Sequence, residues 1–260
     1  MSQSLVIVPT YNEIENISEM VAAVMALPEP IDMLVVDDNS PDGTGNRVKE
    51  LQKNHTGRLH LLEREGKQGL GTAYVAGFRW ALHNNYQYIF EMDCDFSHNP
   101  EDLPRLLAAC RDEGADLAIG SRYITGVNVV NWPMSRVLLS YFASKYVRMI
   151  TGMKVRDATA GFKCYQAHTL RTILQDSIRF VGYAFQIEMK FRAHKYGFRL
   201  KEVPIIFTDR QKGKSKMSGK IIREAIFGVI QLKINSWFRK WERLPPQEPA
   251  TEISSEPTGG

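Results

Sequence analysis

The chain has 260 residues, 43% of them hydrophobic and 24% charged, a globular composition that excludes a wholly disordered chain, a collagen-like repeat and a small disulfide scaffold. Its net charge is +4, but residues 245–260 hold three Glu and no Lys or Arg, so the preceding chain, with 33 basic and 26 acidic residues, stands at +7 and suits an anionic partner. The longest stretch without Asp, Glu, Lys or Arg is 13 residues, 123–135, short of the roughly 20 that a membrane span needs.

In chain order, residues 5–8 form a short, wholly apolar run, the mark of a buried parallel strand. It starts where a signal peptide would lie, and none is expected. Pro9-Thr10-Tyr11-Asn12-Glu13 breaks the run, and a helical pattern follows to about Ala26. A second strand is predicted over 33–36, closed by the turn formers Asp37-Asp38-Asn39-Ser40-Pro41-Asp42-Gly43. A helix to about Lys53, a strand over 59–62, a helix over 72–84 and a strand over 88–92 come next, the last ending in Asp93-Cys94-Asp95. A helix over 100–113 and a fifth strand over 116–120 complete the alternation. Such alternation predicts an α/β fold with a mostly parallel, doubly wound sheet, whose ligands bind beyond the carboxyl ends of the strands. Tyr11 and Glu13, Asp37 and Asp38, Asp93 and Asp95, and Arg122 all fall at such ends.

Two later segments, 135–150 and 221–244, read as basic amphipathic helices that either lie in a membrane interface or pack an apolar side on the sheet. Residues 245–260 lack periodicity and read as a disordered tail. The expected organisation is an α/β domain over 1–220, a basic amphipathic helix over 221–244 and the tail.

Asp93-Cys94-Asp95 is the sharpest chemical signal. Two carboxylates at a strand end can present oxygens to Mg²⁺ or Mn²⁺, which accepts one or two of them and fills its shell with water and phosphate, although D-x-D also occurs in ordinary loops. Asp37-Asp38 can read a base or ribose, or belong to a loop that caps the next helix, which Asp42 can also do. Gly69-Leu70-Gly71-Thr72 lacks the third glycine of a dinucleotide fingerprint and follows the wrong strand, so it reads as a helix-start turn. Arg122, Arg136, Arg210 and Lys216 make the cationic half, with the basic loop 210–216 either folding over phosphates or simply solvated. His98 has no evident base partner and reads as structural. Cys94, Cys110 and Cys164 have no CxxC spacing and are expected as free thiols, with no zinc site. Basic residues interleave with acidic loops and no aromatic platform is visible, which argues against nucleic acid.

The segments IVPTYNE, VVDDNSPDGTG, GKQGLGTAYVAGF, MDCDFSHNPEDLP, GSRY, NWPMSR, VRDATAGFKCY, GYAFQIEMKFRA and EVPIIFTDR…GKSKMSG together resemble, in order from residue 4 to about 220, the dolichyl- and polyprenyl-phosphate mannose synthases. These are inverting family 2 glycosyltransferases of the GT-A fold. The resemblance implies transfer of mannose from GDP-mannose to a polyprenyl or dolichyl phosphate. It places Pro9, Tyr11, Glu13, Val36, Asp38, Asp93, Cys94, Asp95, Arg210 and Lys216 in the nucleotide-sugar pocket, with a divalent cation, Mg²⁺ or Mn²⁺, on Asp93 and Asp95. It places Arg122, Arg136 and Ser140 at the lipid phosphate, and makes Asp95, Arg122, Arg210 and Lys216 the residues of catalysis. Cys94 departs from the family's usual alanine. Gln186 stands where relatives can carry a base, which suits an acceptor that is already an anion. Lacking C-terminal spans, the chain resembles the soluble type, which in eukaryotes relies on small membrane subunits; a place on the cytoplasmic face of a membrane is implied. The alternatives are a related enzyme using a UDP-sugar such as UDP-glucose, and a non-catalytic nucleotide- or lipid-binding subunit.

Overall fold

The computed structural model describes residues 2–182, 184–210 and 219–245. Its first half is the predicted alternation: β1 (Ser4–Thr10), α1 (Ile14–Met25), β2 (Asp32–Asp37), α2 (Thr44–Gln52), β3 (Leu59–Glu63), α3 (Leu70–His83), β4 (Tyr88–Glu91), a 3-10 turn and α4 (Leu103–Arg111), and β5 (Leu117–Ser121). β2 is buried at every position, as a strand covered on both faces must be. The second half adds β6 (Val129–Val130), α5 (Met134–Thr151), β7 (Lys163–Gln166), α6 (Ala167–Ile173), α7 (Ala184–Lys195), β8 (Leu200–Pro204), β9 (Phe207–Thr208) and α8 (Gly219–Asn235).

Seven strands form one sheet in the order β3-β2-β1-β4-β7-β5-β8. All pairs are parallel except those of β7, which runs antiparallel between β4 and β5 and sets Lys163 opposite Glu91. Alternate side chains feed two cores. Leu5, Ile7, Leu34, Val36, Ile89, Leu117 and Ile119 pack with α3, α6 and α7, while Val6, Val8, Met33, Val35 and Phe90 pack with α1 and α4. From β1 the chain winds outward through β2 to β3, then returns to lay β4 on the other flank of β1. This reversal opens a crevice beyond the carboxyl ends of β1 and β4, where Tyr11 and Asp93 stand.

The 221–244 helix is shorter than predicted. α8 stops at Asn235, where the Ser236 hydroxyl donates to the Lys233 carbonyl (2.7 Å). The following segment folds back on α7: Trp241 stacks edge-on against Phe191 and Tyr196, and Arg243 Nε donates to the Tyr196 carbonyl (2.7 Å). Residues 246–260, most of the expected tail, lie outside the described residues.

Candidate active site

At the switch point a cleft of about 390 Å³ is lined by Pro9, Tyr11, Glu13, Asp38, Lys67, Asp93, Cys94, Asp95, Arg136 and Arg210, among others. Eight of the expected nucleotide-sugar residues thus meet in one place. Val36 does not line it: its side chain is fully buried in β2, in the core with Ile7 and Tyr74. Lys216 lies outside the described residues.

The turn after β2 separates the two neighbouring carboxylates. Asp37 is spent within the turn, accepting from the Thr10 hydroxyl (2.8 Å) and from the Ser40 amide (2.9 Å) and hydroxyl (2.6 Å). Asp42 ties the two helix starts together, accepting from the amides of Ile14 and Thr44, both at 3.0 Å. Asp38 alone reaches the cleft, fixed by Arg64 through Nε at 2.6 Å, while Arg64 Nη1 donates to Thr72 Oγ1 at 2.9 Å. Lys67 sits 4.9 Å above the Tyr11 ring. Neither cation was singled out by sequence; a basic residue just past β3 was the available signal.

The Gly69–Thr72 turn closes one wall. Gly69 adopts φ +102, and the Gly71 amide donates to the Val181 carbonyl at 2.8 Å. A Cβ at Gly71 would lie 2.8 Å from the Phe180 carbonyl and 2.9 Å from the Phe185 ring. Gly71→Ala is therefore expected to lower stability by about 1–3 kcal/mol, measured as a reduced midpoint in urea.

Beyond β4 the acid pair occupies the cleft floor. Phe96 takes φ +58, a conformation costly for a bulky side chain. The bend lets Asp95 accept from the Ser97 amide at 3.1 Å and bond its hydroxyl, while Arg210 Nη2 lies 2.8 Å from Asp95 Oδ2. The Tyr74 hydroxyl is 3.4 Å from Asp93 Oδ1. Burial first, and the Asp95 charge second, push the Asp93 carboxyl up to about 7, against the pull of Arg210. Two crowded carboxylates suit a hard divalent cation that keeps its remaining positions for water and phosphate; among the described residues no third His, Cys, Asp or Glu joins them. Cys94 is buried, and burial pushes its thiol up, so it takes no part as a thiolate.

Arg122 stands on a buried support. Its Nε and Nη2 hold both oxygens of Asp157 at 2.7 Å, its amide donates to the same carboxylate at 3.0 Å, and Nη2 reaches Thr159 Oγ1 at 2.8 Å. Arg136 pairs with Asp209 (2.8 Å) and lies 4.1 Å from the Trp132 ring centre, which Arg122 faces at 5.5 Å. One indole thus carries both guanidiniums, and its buried Nε1 has no hydrogen-bond partner among the described residues. Pairing of β6 with β9 docks the Trp132 loop on the strand leading to Arg210. Ser140 follows Arg136 by one helical turn on α5 and is half-buried. Asp157, Thr159 and Trp132 escaped the sequence reading, although a buried arginine requires a carboxylate somewhere.

His98 is buried, stacked on Phe162 with ring centres 5.0 Å apart, and accepts the Asp93 amide at Nδ1 (3.3 Å). Burial pushes its imidazole down to about 4. It is a neutral packing residue, in keeping with the structural reading.

A family profile described as glycosyl transferase family 2 matches residues 5–174. The chain is 48% identical over 229 residues to a polyprenol monophosphomannose synthase of Mycolicibacterium smegmatis, covering 88% of this chain and 86% of that one. It is 47% identical over 241 residues to an undecaprenyl-phosphate mannosyltransferase of Micrococcus luteus, covering 92% and 96%. Among solved structures, a mannosyltransferase from Pyrobaculum calidifontis in complex with GDP-Man and Mn²⁺ is similar with a TM-score of 0.57 at 15% identity, over 90% of this chain and 73% of that one. A glucosyl-3-phosphoglycerate synthase from Mycobacterium tuberculosis, with Mn²⁺, UDP and glucosyl-3-phosphoglycerate, gives 0.61 at 17% identity, over 89% and 78%.

Proposed function

Because the chain belongs to glycosyl transferase family 2, we propose that it transfers mannose from GDP-mannose to a polyprenyl monophosphate, giving polyprenyl-phosphate β-mannose and GDP. The observation that carries this reading is the meeting of two separate sets of charged groups at one site. An acid pair with Arg210 and Lys67 forms one bank, and two arginines on a single indole form the other.

Asp38, Tyr11, Glu13 and Lys67 take the nucleotide, and Arg210 bears on its diphosphate. Arg122, Arg136 and Ser140 receive the acceptor phosphate. A divalent cation on Asp93 and Asp95, Mg²⁺ or Mn²⁺, would supply charge neutralisation for the departing GDP. The acceptor oxygen is anionic at neutral pH, so it attacks the sugar C1 without a general base. The chain's task is to hold two mutually repelling anions in line, with guanidiniums fixed in advance by Asp157 and Asp209. In-line attack inverts the α-linked donor.

The test is transfer of radiolabel from GDP-mannose to a short polyprenyl phosphate with Mg²⁺ or Mn²⁺. Lipid-soluble product that survives alkali and breaks in mild acid supports the reading. Binding of UDP with none of GDP overturns the mannose donor.

The same reading puts the protein on the cytoplasmic face of a membrane, alone or with a small membrane subunit. Among the described residues no helix is long and apolar enough to cross a bilayer. α5 exposes Met134, Leu138, Tyr141, Phe142 and Met149; α8 and the turn after it expose Phe227, Trp237 and Phe238, the last 86% accessible. Lys145, Arg148 and Lys240 accompany them, as an interfacial surface requires. Trp237→Ala with Phe238→Ala is expected to weaken binding to anionic vesicles at least tenfold, since each aromatic contributes about 1.5–3 kcal/mol when buried. Co-sedimentation measures it, and unchanged binding would remove α8 from the surface.

A further inference from the structure

A second, smaller cavity continues the cleft past the acid pair, sharing Leu70 and Asp93 with it. Its other walls include His98, Arg122, Gly161 and Gln186. Gln186 comes from the first turn of α7 and is 4% exposed. The Lys163 ammonium bonds its Oε1 and lies 3.1 Å from Glu91 Oε2; Glu91 Oε1 in turn accepts from the Tyr165 hydroxyl at 2.8 Å. Lys163, Glu91 and Tyr165 have no exposed surface.

An ammonium can only donate, so the amide oxygen must face Lys163 and the NH₂ must point away from it. That Nε2 has no protein acceptor among the described residues, and a Cβ built on Gly161 would lie 3.6 Å from it. The buried pair thereby aims two donor hydrogens at the space left open by Gly161.

We propose that Gln186 is a substrate-binding residue whose NH₂ donates to a hydroxyl of the transferred hexose, and that Lys163, anchored by Glu91, is the positioning residue that fixes its orientation. The cavity holds only about 40 Å³, so a hexose seated in the larger cleft reaches it with one edge, and its lining suits a hydroxyl. Asp93 presents an acceptor, and Ile205 and Phe207 give apolar walls. The inference rests on the proposed function only in requiring a donor that carries a hexose.

The experiment compares affinities for GDP-mannose and for GDP by calorimetry, in the presence of Mn²⁺. In Gln186→Leu the preference for GDP-mannose over GDP is expected to fall about tenfold, the worth of one hydrogen bond, while GDP affinity stays within about twofold. Lys163→Met is expected to give the same selective loss, which a merely structural role would not produce. Should either variant fail to fold, Gly161→Val, which narrows the cavity from an unstrained backbone position, is expected to show that selective loss. An unchanged preference with a raised KM for the polyprenyl phosphate overturns the proposal, as does an equal loss of both affinities. If the wild-type protein binds UDP and a UDP-hexose instead, the mannose reading fails, and the same ratio measured with that pair still decides the role of Gln186.

Discussion

Asp95→Ala is expected to reduce mannosyl transfer by about 10²–10³-fold, the usual cost of removing one preorganised group that faces developing charge. The site makes this residue bear two duties. Its Oδ2 stands 2.8 Å from Arg210, and its Oδ1 takes the Ser97 amide across the strained Phe96 turn. Alanine removes half of the acid pair and the partner of Arg210 together, so Mn²⁺ titration should show weakened binding as well. The strands are unaffected, and circular dichroism should match the wild type. Wild-type transfer that Asp95→Ala abolishes would dispose of the non-catalytic binding-subunit alternative, whereas full activity in the variant would remove Asp95 from the catalytic machinery.

Asp157→Asn should be the most damaging change to stability. The Asp157 carboxylate has no exposed surface and meets Arg122 through three hydrogen bonds. Breaking a buried ion pair from one side typically costs about 3–5 kcal/mol, seen as a lower midpoint in denaturant. Replacing both partners, as in Arg122→Met with Asp157→Leu, should recover much of that stability while transfer stays lost. The pair also has a pH signature. Burial alone would raise the Asp157 carboxyl; the Arg122 charge and its hydrogen bonds outweigh this and hold it below the ordinary carboxylate range. A depressed native pKa means that the stabilisation is present above the unfolded value, about 3.9, and is lost as pH falls through the native one. Wild-type stability should therefore drop more steeply with acid below about pH 4 than that of the double variant.

Much of the first half was readable because each buried strand is a short apolar run ended by turn formers. The runs at 5–8 and 33–36 have no competing period, and the acidic loops after them fall at one edge once the strands are parallel. The second half hides the strand at the centre of its pairing, β7. Lys163-Cys164-Tyr165-Gln166 offers neither a continuous apolar run nor clean alternation, because its lysine is buried through a partner 72 residues earlier. The same non-locality concealed Asp157 beneath Arg122 and Asp209 beside Arg136: a carboxylate far off in the chain carries no local mark of the arginine it will meet. Arg64 and Lys67 were missed for another reason. They stand just past the carboxyl end of β3, but in a polar loop, where a single basic residue reads as solvated.

The Glu91–Lys163 pair also bears on assembly of the sheet. β7 must enter between two strands already remote in sequence, and its Cys164 and Tyr165 would pack in more than one alignment. Slipping β7 by two residues keeps its side chains on their proper faces, but sets Lys163 opposite Ile89 and strands an ammonium beside Glu91 unmet. Each buried, unmatched ion costs several kcal/mol, so this slip is disfavoured. The ion pair is thus a registration key: it penalises that misaligned insertion of the middle strand between the two halves of the sheet.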